Sequence, residues 1–143
     1  MTGGCDPLEL AARALKHRDR SRHELDRRLE EAGIAAEERE QTLATLERIG
    51  YLDDRRFAAT RARTLAERGY GDEAIRVDLD REGVTAETAD AALRGLEPER
   101  ERARTLVRRL GGRRNATVQL LRRGFDPDSV EAALGADVAP GAT

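Results

Sequence analysis

In this chain of 143 residues, apolar and charged side chains each make up 38% and mean hydropathy is −0.70, which allows several small cores but not one large one. No apolar run approaches the ~18 residues of a membrane helix and there is no N-terminal apolar leader, so a soluble, cytoplasmic protein is expected; Cys5, the single cysteine, excludes an intramolecular disulfide. The net charge of −2 hides an uneven spread: residues 1–53 carry 9 basic and 12 acidic groups, residues 54–97 carry 8 and 10, and residues 98–143 carry 9 and 6.

Taken in chain order, the same pattern passes three times. Its anchors are Gly33, Gly83 and Gly124. Eighteen residues before each stands Leu15, Leu65 or Leu106, and four before stands Leu29, Leu79 or Leu120. Eight before come Leu25, Ile75 and Ala116; one after come Ile34, Val84 and Phe125; ten after come Leu43, Leu93 and Leu134. Five shared apolar offsets mean one supersecondary module used three times, and a module of ~40–50 residues needs its neighbours for stability. The boundaries predicted are repeat one at 7–52, repeat two at 53–97 and repeat three at 98–135, with flexible termini at 1–6 and 136–143.

Each unit reads as three helices. The first carries Ala11, Ala14 and Leu15 in unit one, Phe57, Ala58, Ala62 and Leu65 in unit two, and Ala103, Leu106, Val107 and Leu110 in unit three. The middle helix starts at a capping box, Ser21 to Glu24, in unit one; Gly71 and Gly112 take the aligned place. It ends at the anchor glycine, where a left-handed C-cap is needed. The last helix is capped by Thr85 in unit two and opens Asp126-Pro127 in unit three, while Ala35 offers no cap in unit one. No stretch alternates like a strand, so the fold class predicted is all-α: three tandem three-helix repeats. The junction Gly50-Tyr51-Leu52-Asp53-Asp54, with Phe57, is expected to be packed.

Catalytic and metal chemistry find little support. There is no phosphate-binding glycine loop and no metal-type cysteine cluster. His17 and His23 are six apart, on different helix faces, and read as surface residues. Asp53 and Asp54 read as helix caps rather than metal ligands, and Cys5 lies in a terminus. The expectation is a protein that is not an enzyme and needs no cofactor or metal. Helix-turn-helix DNA reading fits poorly, because the last helices, such as Ala86–Leu93, are short and acidic. Phe57 and Phe125 fall in core registers, which leaves few aromatics for base stacking.

The basic runs remain. Arg100–Arg123 holds nine arginines against Glu101 alone, and Arg13–Arg22 holds five basic groups against Asp19. Arg100, Arg104 and Arg108 are spaced by four, which places them on one helix face. The candidate contacts for an anionic partner are Arg104, Arg108, Arg113, Arg114, Arg122 and Arg123 in unit three, and Arg20, Arg22, Arg55 and Arg56 around unit one and the first junction. For any one of these a solvated face, or an arginine complementing a helix C-terminus, is the competing reading.

Four motifs in order then point to a family. Arg20-Ser21-Arg22-His23-Glu24-Leu25 resembles Arg-Ser-Arg-x-Glu-Leu; Gly50-Tyr51-Leu52-Asp53-Asp54-Arg55-Arg56-Phe57-Ala58 resembles Gly-Tyr-Leu-Asp-Asp-x-Arg-Phe-Ala; Gly69-Tyr70-Gly71 and Arg122-Arg123-Gly124-Phe125 follow. On a threefold repeat, over residues 10–135, they resemble the RecX family, regulators of the RecA recombinase. The resemblance implies a curved, elongated array that binds in the groove of a RecA filament on single-stranded DNA and restrains its ATPase, co-protease and strand-exchange activities. A monomer is expected, with at most weak, non-specific nucleic-acid contact. The alternatives are a direct, non-specific DNA-binding helical protein and an adaptor for another acidic protein. The acidic residues crowding units one and two favour contact with RecA over contact with DNA.

Overall fold

A computed structural model of the chain describes residues 6–111 and 115–137. Among these residues the structure is wholly helical: α1 (Pro7–His17), α2 (Arg22–Glu31), α3 (Ala36–Arg48), α4 (Asp54–Glu67), α5 (Asp72–Arg81), α6 (Ala86–Arg94), α7 (Glu99–Arg109), α8 (Ala116–Arg122) and α9 (Pro127–Asp137). Helices contact chiefly within consecutive triplets. Each triplet has a core of its own, around Leu25, Leu29, Leu43 and Leu46 in the first, Phe57, Ile75 and Leu79 in the second, and Val107, Leu120 and Phe125 in the third.

The repeat offsets have a direct physical cause. Gly33, Gly83 and Gly124 take φ of +86°, +77° and +85°, which a side chain adopts only under strain. With the glycine left-handed, the next residue's N–H turns back to the leucine at offset minus four. Ile34 donates to the Leu29 carbonyl at 3.0 Å, Val84 to that of Leu79 at 3.0 Å and Phe125 to that of Leu120 at 3.0 Å. Such a cap also brings those two side chains together, so both offsets must be apolar. The three leucines are fully buried. Leu15, Ile34 and Leu134 are the aligned apolar positions that stay half-buried, and they lie in the terminal units, which have a neighbour on one side only.

Helix starts follow the capping rules with one correction. Asp6, Ser21, Asp53, Thr85 and Asp126 each accept from a backbone N–H of their own first turn, and α3 begins after Ala35 with no side-chain cap. The capping box of α2 is only half made. Ser21 accepts from the Glu24 N–H at 3.1 Å, but the Glu24 carboxylate turns to Arg18, Arg20 and Arg28 instead of reaching back. At the first junction Leu52 and Phe57 are buried as expected, whereas Tyr51 is 57% exposed.

A glycine pair separates backbone strain from crowding. Gly33→Ala should cost about 1–2 kcal/mol, the strain of a left-handed alanine, since nothing lies within 4 Å of the added methyl. Gly124→Ala should cost clearly more in the same denaturation experiment, because its methyl would meet the Ala74 Cβ and backbone N at 2.6 Å. Equal losses would contradict the close approach of the second and third units at this turn.

Candidate partner-binding surface

What any partner meets is set first by how the units join. At the second junction the start of α5 is finished by the third unit. The N–H groups of Gly71, Asp72 and Glu73 donate to the Arg123 carbonyl at 2.7 Å, Glu99 Oε2 at 2.7 Å and the Gly124 carbonyl at 3.1 Å. These are among the donors that a helix N-terminus leaves without an internal partner. Gly71 must lack a side chain, as a Cβ there would sit 2.5 Å from the backbone of Gly124. The other oxygen of Glu99 accepts from the Ser129 hydroxyl at 2.7 Å, which fixes it within its own unit. Arg102 returns the contact, pairing with Asp72 and donating to the Tyr70 carbonyl at 3.0 Å, with its guanidinium 5.9 Å from the Phe125 ring centre.

The first junction uses related parts. Asp54, the first residue of α4, accepts from the Arg22 N–H at 2.8 Å, as Glu99, the first residue of α7, accepts from that of Asp72. Arg56 donates to both carboxylate oxygens of Asp19 at 3.1 Å and to the Gly50 and Tyr51 carbonyls at 3.1 Å. Burial pushes the Asp54 carboxyl above its usual range against the Arg22 N–H, with Glu47 and Asp53 adding to the shift. Burial likewise raises Asp72, although Arg102 opposes it. Asp53 caps α4 as expected, whereas Asp54 caps the helix of the preceding unit, α2. No cluster of metal-ligating side chains occurs among the described residues.

The ten candidate arginines divide sharply. Arg20 is nearly buried and holds the Ala14 carbonyl and Glu24. Arg22 bridges Glu40 and Glu47, and Arg56 ties the first junction. Arg123 donates to the Arg68 carbonyl at 3.0 Å, at the end of α4. Arg104 pairs with Glu101 at 3.1 Å. Arg55, Arg108 and Arg122 are exposed, and their side chains meet no acceptor among the described residues. Arg113 and Arg114 lie outside the described residues, as does Cys5. Nothing in the sequence marks Arg102 or Glu99, because a side chain that reaches the backbone of a neighbouring unit follows no regular spacing.

A groove of about 460 Å³ lies along the second junction, with Arg63 and Arg109 on its walls and Ala66, Leu96, Leu106 and Phe125 among its lining residues. Among the described residues no helix is long and apolar enough to cross a membrane.

Three-helix units follow one another in chain order, units two and three each finishing a helix start of the unit before, and define a helical-repeat protein. The family model of the RecX second three-helix domain matches residues 53–93. Regulatory protein RecX of Stenotrophomonas maltophilia strain R551-3 is 38% identical over 141 residues, covering 92% of this chain and 86% of that protein. That of Xanthomonas axonopodis pv. citri strain 306 is 37% identical over 142 residues, covering 92% and 88%. The crystal structure of RecX from Lactobacillus salivarius superposes with a TM-score of 0.81 at 21% identity, covering 91% of this chain and 93% of that one. The chain belongs to the RecX family.

Two measurements check these assignments. Arg123→Glu should lose about 0.5–1.5 kcal/mol, as the donor to the Arg68 carbonyl across the junction is replaced by an acceptor, while Arg122→Glu should change stability by less than about 0.5 kcal/mol; equal losses would remove Arg123 from the junction. Glu24 gives a pH signature. Burial pushes its carboxyl up, but the hydrogen bond from Arg20 and the charges of Arg18 and Arg20 outweigh burial and hold it below the usual range. A carboxyl lowered in the folded state contributes stability that is full above its unfolded pKa and lost as pH falls through its folded one. Glu24→Gln should therefore be less stable than the parent at neutral pH, with a deficit that closes in acid. A deficit independent of pH would show that the ion pairs contribute nothing.

Proposed function

We propose that this protein restrains a RecA-type recombinase by lying in the groove of the RecA filament on single-stranded DNA, limiting ATP hydrolysis, co-protease action and strand exchange. The observation that carries the reading is membership of the RecX family across most of the chain, together with relatives named as regulatory proteins. The architecture supports it. A filament presents the same groove at every protomer, and a tandem array meets such a groove with several weak contacts whose strengths combine through tethering. A protein wedged across protomers opposes their closure on ATP and the orderly addition of subunits. The action is binding rather than catalysis, by a cytoplasmic monomer without cofactor.

Within this reading the partner contacts are Arg55, Arg108 and Arg122, whose side chains meet no acceptor among the described residues, with Arg104 one turn before Arg108 on α7 and Arg113 and Arg114 completing the basic run in the sequence. Arg20 and Arg22 act indirectly, by bracing unit one, and Arg56 and Arg123 by holding the junctions. The acidic groups interspersed through units one and two favour a protein partner, with bare DNA bound weakly and without sequence preference.

Replacing Arg55, Arg108 and Arg122 together by Glu tests this directly. The variant should keep parental helicity and lose inhibition of DNA-dependent ATP hydrolysis by RecA by roughly tenfold or more, as repulsion replaces attraction across the interface. Inhibition by the parent should weaken as salt rises, because exposed charges are screened beyond ~8–10 Å at ordinary ionic strength. A folded triple variant that inhibits like the parent would move the contact to other residues. Salt-independent inhibition would favour an apolar interface.

A further inference from the structure

The two junctions place a carboxylate in the same position but differ in the kind of bond that surrounds it. Between units two and three the backbone itself is shared: Gly71 and Glu73 donate to the carbonyls of Arg123 and Gly124, on either side of the Asp72–Glu99 contact. Between units one and two, among the described residues, no backbone-to-backbone hydrogen bond is made across the units. Ser21 caps α2 from within unit one, so this helix start depends less on its neighbour. Gly83 still comes close to His23, where an added Cβ would lie 2.4 Å from that of His23, but the approach is a packing contact alone. The polar ties here come from two side chains of unit two, Asp54 and Arg56. Arg56 and its partner Asp19 keep 43% and 31% of their side-chain surface in solvent, where such a pair contributes little and is screened by salt.

We propose that units two and three form one rigid body and that unit one turns against it on a joint whose orientation is held by Asp54, with Arg56 as a weaker second latch. Asp54 is a positioning residue: it touches no partner, and it decides where unit one stands relative to the rest. Its consequence for a filament rests on the function proposed above, since contacts spread over three units combine only when the units are spaced to match the groove. The joint itself is a property of the free protein and is tested without RecA, so its failure and the failure of that function are separable.

Spin labels at Glu30→Cys and Glu87→Cys report the first junction, and labels at Glu87→Cys and Glu131→Cys the second, each pair in a Cys5→Ser background. Asp54→Ala should broaden or shift the first distance distribution. The latched arrangement should lose roughly tenfold in population, the factor for one hydrogen bond to a charged group, while the second distribution stays parental. Asp54→Glu should restore the first distribution, because unit three makes the same contact with Glu99. Glu99→Ala should leave the second distribution narrow, held by the two backbone bonds. Hydrogen exchange on the unaltered protein gives an independent reading: the amides of Gly71 and Glu73 should exchange more slowly than that of Arg22. Parental distances in Asp54→Ala, equal broadening at both junctions, or an Arg22 amide as protected as Glu73 would each overturn the proposal.

Discussion

A helix begins with N–H groups that have no partner in the helix itself, and at the starts of α2 and α5 the next unit supplies partners for them. α5 shows the constraint in its strongest form. Gly71 has no side chain to cap with, and three successive donors go to the third unit. The anchor glycine serves both sides of this arrangement. Its left-handed φ ends the middle helix of its own unit, and its missing side chain lets that turn approach the start of the middle helix before it. The units are therefore coupled through the features that define them, and loss of the third unit would strip the start of α5 of its partners.

The same constraint sorts the charges. A chain with 25 arginines and one lysine has many planar guanidinium groups able to reach several carbonyls at once. Arg56 and Arg102 do this near the starts of α4 and α7, each taking the carbonyl of an exposed tyrosine, Tyr51 or Tyr70, and a carboxylate of the preceding unit. Arg20 and Arg123 are likewise committed to backbone carbonyls. In the third unit Arg100, Arg108, Arg109 and Arg122 are exposed and meet no acceptor among the described residues.

The fold was legible where the signal was local and periodic. Offsets of minus four and plus one are the two apolar partners of a left-handed C-cap, so Leu29 with Ile34, Leu79 with Val84 and Leu120 with Phe125 announce the turn as well as the core. Contacts between units were not legible in this way. Asp54 reads as a cap for its own helix, because nothing in the sequence says that its carboxylate turns to α2. Gly71 reads as a tolerated cap, although the approach of Gly124 requires it. A basic run shows that cations are abundant, but only the packing separates Arg122, whose side chain meets no acceptor among the described residues, from its neighbour Arg123, which is part of a junction.

The most direct test of the functional account is cosedimentation of the parent protein with RecA filaments on single-stranded DNA, run against the bare strand and against RecA without DNA. Saturable binding to the filament is expected, with little carried down by the bare strand and little association with RecA alone. Equal binding to the bare strand would contradict it and make direct DNA binding the primary activity; no binding to filaments would leave the array without the partner proposed for it.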